Sequence, residues 1–273
     1  MAYQTITSVQ DLISWNNKHS VGEARFLFRG MANKEYQLIP KLSRGENGLI
    51  VSEDVAAKRR EKLREYLTIR LAAYGFDFQS LDNLERAWKE LFVAQHYGVP
   101  TQLLDFTRNP MTALFFACEQ SPEKDGILYS IGIQSQKVKS KEEFNAKDPN
   151  YNIASYDLLA HGTHSLGPYN LGPKHKFVVP PQMDNRIKSQ DSVFCCLPPE
   201  YLTVTLDEQI SWEYEGGQVG VGMDWINRWI VPQNAKQSIL EELNRIGINH
   251  STLFPDVYGL GAFVTWKLFN IKD

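Results

Sequence analysis

Apolar residues recur three and four positions apart over several stretches of the chain, the spacing that gives a helix one buried face. Ser8 stands before the first stretch as an N-cap, with Leu12, Ile13 and Trp15 following and an end near Lys18. A longer, charged helix is predicted from Glu53 to Tyr74, with Leu63, Leu67 and Leu71 four apart. Another covers Leu81 to Tyr97 through Leu84, Trp88, Leu91 and Phe92, and Gly98-Val99-Pro100 stops it. Pro110 suits a first helical turn and opens a short helix to Cys118. Near the end of the chain, Ala235–Ile246 and Ser251–Lys267 read as two further helices.

Between these lie segments that alternate, as strands do. Ala24 to Gly30 places Phe26 and Phe28 on one face and Leu27 and Arg29 on the other. Gly126–Ile133, Lys176–Val179, Ser192–Leu197, Tyr201–Leu206 and Arg228–Val231 are also predicted strands. Helices dominate the first half, and no repeat or linker divides residues 1–273. The expectation is a single α+β domain, a helix-rich first half packed on a mostly antiparallel sheet.

Composition narrows the function classes. The net charge of −3 provides no basic field for nonspecific nucleic-acid binding. Cys118, Cys195 and Cys196 form no Cys-x-x-Cys pair, and no apolar run is long enough to span a bilayer. The start of the chain lacks a basic stretch and an apolar core, so a cytoplasmic, non-membrane protein is expected. His161, His164 and His175 fall short of a zinc set without cysteine pairs, and no metal is expected.

Three blocks together resemble the FRG domain family. They are Phe28-Arg29-Gly30 with Ile39-Pro40-Lys41-Leu42-Ser43-Arg44, the run His96 to Thr107 with Asn109-Pro110 and Ala113 to Ala117, and a tail of Gly247-Ile248 and Thr252 to Asp256. An aromatic-Arg-Gly tripeptide on an early strand is similar, more weakly, to the first motif of ADP-ribosyltransferases. That resemblance implies NAD as substrate, Arg29 as a clamp on its phosphate or ribose, and transfer of ADP-ribose to a protein or nucleic acid. Stand-alone proteins of this kind resemble bacterial or phage toxins and antiviral defence effectors. Where such enzymes carry a glutamate before a later strand, this chain has Gln190, and Asp191 or Asp105 would have to supply the charge.

The residues themselves leave two readings at each position. Arg29, among strand residues, either bridges a carboxylate such as Asp105 or grips a ligand anion. Gly30 would let a ligand approach the backbone closely. His96 either caps its helix or joins a site, and Asp105, expected at a strand end, is an acid–base candidate or a turn residue. Thr107 reads first as a helix cap and second as a ligand contact. Arg29, His96, Asp105 and Gln190 form the catalytic candidates; Arg29, Gly30, Thr101, Thr107 and Arg186 form the NAD-binding set. Glu213 and Glu215 fit a solvated hairpin edge. Two alternatives remain: a noncatalytic nucleotide-binding module, and a phosphoester hydrolase using His96 and Asp105.

Overall fold

The computed structural model describes residues 4–19, 24–46, 48–76, 78, 81, 83–134, 168–169, 175–180, 185–215 and 225–270. Seven strands, β1 (Gln4–Thr5), β2 (Ala24–Met31), β3 (Leu103–Thr107), β4 (Gly126–Gln134), β5 (Lys176–Val178), β6 (Ser192–Cys196) and β7 (Trp225–Val231), form one open sheet. Its order is β1-β7-β4-β2-β3-β6-β5, antiparallel except where β1 runs beside β7. The helices are α1 (Val9–His19), α2 (Glu53–Arg70), α3 (Asn83–His96), α4 (Pro110–Cys118), α5 (Asn185–Ser189), α6 (Leu206–Glu215), α7 (Gln233–Arg245), α8 (His250–Leu253) and α9 (Val257–Phe269). The protein is α+β, and both halves of the chain contribute strands.

Alternation on β2 divides the core in two. Phe26 and Phe28 join a cluster with Leu12 of α1, Phe115 of α4, Trp229 of β7 and Ile239 of α7. Leu27 and Met31 join the opposite cluster, with Leu63 of α2, Trp88 and Phe92 of α3, and Ile210 of α6. Each face of the sheet is thereby covered by helices, and Arg29 points to the second face, between Leu27 and Met31.

Two glycines determine how closely α4 lies on the sheet. A Cβ on Gly30 would stand 1.7 Å from the Ala113 carbonyl oxygen, and one on Gly126 would stand 2.2 Å from that of Ala117. Both contacts are with backbone, so no side-chain movement relieves them. The missing side chain of Gly30 therefore admits α4.

Two predicted elements differ. Tyr201–Leu206 is no strand; Pro199–Tyr201 makes one 3-10 turn and Thr205 starts α6. The Thr205 hydroxyl accepts from the Glu208 N–H while the Glu208 carboxylate accepts from the Thr205 N–H, a capping box that the alternation concealed. Glu213 and Glu215 then end that helix rather than edge a hairpin. The helix expected over Ser251–Lys267 is broken: Phe254, ahead of Pro255, leaves the helical region at φ −124°, ψ 81°, and Asp256 caps α9 afresh. His161 and His164 lie outside the described residues. Among those described, no helix is long and apolar enough to cross a membrane.

Candidate ligand-binding cleft

β2 pairs with β4 at eight positions, from Ala24↔Gln134 to Met31↔Ile127, but with β3 only at Phe28↔Thr107. Beyond that pair the sheet has no β2–β3 ladder, and the Arg29 guanidinium donates to the Asp105 carbonyl across the gap. A cavity of about 430 Å³ occupies this place. Its size falls in the ordinary range for small-molecule sites.

Of the residues singled out from the sequence, Arg29, Gly30, His96, Asp105, Thr107, Arg186 and Gln190 all border this one cavity. Their convergence comes from β2, α3, β3 and α5 meeting where the sheet parts. Arg29 is mostly buried, with a side chain 16% exposed, and its Nη1 lies 3.7 Å from Asp105 Oδ2. Its Nε is buried without a hydrogen-bond partner. Burial pushes the Arg29 pKa down, against an opposing pull from Asp105. Arg44, held by its Nε and Nη2 on the Ile39 carbonyl, is pushed down by burial and by the neighbouring charge of Arg29. Two guanidiniums therefore share one nearby carboxylate. Lys41, anchored on the Gly98 carbonyl, and Arg186, stacked 4.7 Å over the Phe254 ring, add further positive charge to the wall.

Other candidates turn out to hold the scaffold. Thr107 Oγ1 donates to the Gln190 carbonyl at 2.6 Å and accepts from the Asn109 N–H at 3.0 Å. The cap on α4 is Asn109, whose side chain accepts from Met111 N–H, so the capping role expected of Thr107 passes to it. Gln190 Nε2 donates to the Leu253 carbonyl at 3.1 Å, tying the β6 turn to α8. Asp191 pairs with Arg108 at 3.0 Å and is not on the cavity wall, so it does not replace a glutamate there. Asp105 stands in the middle of β3 rather than at its end or in a turn, and its Oδ1 accepts from Gln95 Nε2. Thr101 is fully buried behind the wall and donates to Gln95 Oε1, so it reaches the cleft only through Gln95.

His96, the last residue of α3, borders both the cavity and an adjoining open groove that also includes Tyr97, Asn185 and Asp256. Sequence reasoning gave no role to Lys41, Arg44, Gln95, Thr112 or Glu119, all on the wall. Lys41 and Arg44 stood inside the block Ile39 to Arg44, one and four residues after Pro40; nothing near Glu119 distinguished it from an ordinary helix end. Thr112 is fully buried with an unpartnered hydroxyl. Among the described residues no group of three His, Cys, Asp or Glu gathers in a way that holds a metal ion.

Residues 24–126 match the FRG domain family. The chain carries an FRG domain. The matched span contains Arg29, Gly30, Lys41, Arg44, His96, Asp105 and the whole of α4, so most of the cleft is built by the FRG segment. Arg186 and Gln190 come from beyond it and complete the wall. Neither a curated protein nor a solved structure matches the chain.

Proposed function

We propose that the FRG cleft binds NAD and transfers its ADP-ribose moiety to a macromolecular acceptor. One observation carries this reading: Arg29 borders the cavity with a buried Nε that has no partner, beside the second guanidinium of Arg44. Buried donors are rarely left unpaired, and an arginine fork suits phosphate oxygens. In this reading Arg29 and Arg44 hold the pyrophosphate. His96 and the Thr112 hydroxyl face the sugars, while Thr107 and Gln190 keep the opposite wall in place. A protein or nucleic-acid acceptor enters along the groove beside His96 and Tyr97. Such an activity fits an effector of the toxin or defence kind.

The test is direct. Purified protein is incubated with NAD, and nicotinamide release is followed beside calorimetric binding. Binding with release, both lost in Arg29→Ala, supports transfer. Binding without release makes the cleft a nucleotide-recognition module, a reading favoured by the neutral Gln190 and its anchoring to Leu253. Absence of binding removes both readings.

A further inference from the structure

Among the described residues two carboxylates border the cavity, and they differ in what they touch. Asp105 already serves as the counter-charge of Arg29 and is more than half exposed. Glu119 follows the last turn of α4, on the stripe that presents Thr112 and Phe116 to the cavity. Its side chain is only 13% exposed, and its Oε2 lies 3.0 Å from His250 Nε2. Gln120 Nε2 reaches the other oxygen at 3.1 Å.

The histidine is held from several sides. His250 opens α8, which Asn249 starts with a capping box shared with Thr252. Phe115 meets the imidazole edge-on at 4.9 Å, and Phe254 stacks near it at 6.3 Å. A carboxylate on a ligand cavity with an imidazole fixed behind it is an acid–base pair in the general sense, one group exchanging the proton and the other orienting it. A structural explanation is also available, because the pair ties α8 to the end of α4; but a tie needs no face on the cavity, and Glu119 has one.

We propose that Glu119 is the general base of this cleft and His250 its positioning residue. The proposal rests on the NAD reading above. With Nε2 protonated, His250 donates to Oε2, and each carboxylate oxygen retains a further lone pair. Glu119 takes the proton from water or an acceptor hydroxyl as its oxygen forms a bond to C1′ of the nicotinamide ribose. The C1′–N bond breaks, its electron pair goes to the departing neutral nicotinamide, and the proton later leaves Glu119 for solvent. With water as acceptor the products are ADP-ribose, nicotinamide and a proton. The acceptor class is thus a hydroxyl-bearing one.

The experiment measures NAD affinity and nicotinamide release for the wild type, Glu119→Gln, Glu119→Ala and His250→Asn, with thermal unfolding as a check on folding. The expected result is that Glu119→Gln binds NAD within about threefold of wild type yet releases nicotinamide at least ~100-fold more slowly. Added formate restores part of the activity of Glu119→Ala. His250→Asn lowers kcat with KM unchanged. Release by Glu119→Gln at the wild-type rate overturns the base while leaving the NAD reading standing. Loss of NAD binding in a folded Glu119→Gln, or no rescue by formate, makes Glu119 a structural or binding group and also overturns it. A wild type that does not bind NAD, or binds without release, overturns the transfer reading and the base with it.

Discussion

Two cations are buried within a few residues of the same end of β2, and they are treated in opposite ways. Lys236 of α7 is 2% exposed, and its ammonium donates to the carbonyls of Ala32, Gln120 and Ser121, at 2.6, 2.9 and 2.9 Å. Three donors meet three acceptors, and two of those acceptors lie just past the end of α4, where the helix dipole favours a positive charge. Arg29 has five donors, a single carbonyl partner for Nη1, a carboxylate at 3.7 Å, and an Nε with none. Lys236 borders no part of the cavity; Arg29 does. The first cation completes the fold. The second keeps an unmet donor and borders a space that a ligand can fill.

The strongest perturbation of this contrast lies between the two. Gly30→Ala would drive a Cβ into the Ala113 carbonyl, forcing α4 off β2 and disturbing both cations. Overpacking against backbone is expected to cost about 3 kcal/mol or more, seen as a lower urea midpoint or as loss of soluble protein. Lys236→Met comes next. It strands three carbonyls and should destabilise by about 3 kcal/mol, with NAD affinity unchanged. Arg29→Met is the converse: NAD affinity falls roughly 100-fold, whereas the urea midpoint moves by an amount equivalent to less than about 1 kcal/mol, because an incompletely paired buried charge is removed. If Arg29→Met unfolds the protein as Lys236→Met does, the contrast is wrong.

Thr107→Val removes a bond to the Gln190 carbonyl and the acceptor for Asn109 N–H, with an expected loss of about 1–2 kcal/mol. Its effect on binding should be no larger than its effect on stability, which isothermal titration beside urea melts would show. The smallest effect is on pH dependence. Burial holds the Lys236 pKa below the ordinary 10.5, so the folded chain loses that proton before the unfolded chain does. Stability contributed through this group therefore rises as pH climbs from the folded pKa toward 10.5, and falls again on returning to neutral. The stability difference between wild type and Lys236→Met should widen in favour of the wild type over that interval.

Parts of this arrangement were legible in the sequence because they depend on near neighbours. α4 begins at Pro110 and ends at Cys118, as its composition and first-turn proline indicate. The two faces of β2 follow from simple alternation of Phe26, Leu27, Phe28 and Arg29. The cleft residues were partly legible too, since Arg29, His96, Asp105, Arg186 and Gln190 border one cavity. Their individual roles were not. Thr107 read first as a helix cap and Gln190 as a stand-in for a catalytic glutamate, and their hydrogen bonds run to one another's segments and to Leu253. Gly30 borders the cavity and is also the seat of α4, a packing role that the tripeptide did not reveal.

The alternation of β2, the extent of α4 and the placement of Arg29 on a core-facing strand are local properties, set by backbone geometry and the order of apolar residues, and the sequence alone determines them. The cleft itself is another matter. It exists because β2 keeps β4 along its length while meeting β3 at one pair, and α8 brings His250 to Glu119 on its wall. Those contacts join residues distant in the sequence, such as Phe28 with Thr107 and Glu119 with His250. Only packing of the whole sheet and its helices decides which polar atoms find partners there and which remain for a ligand.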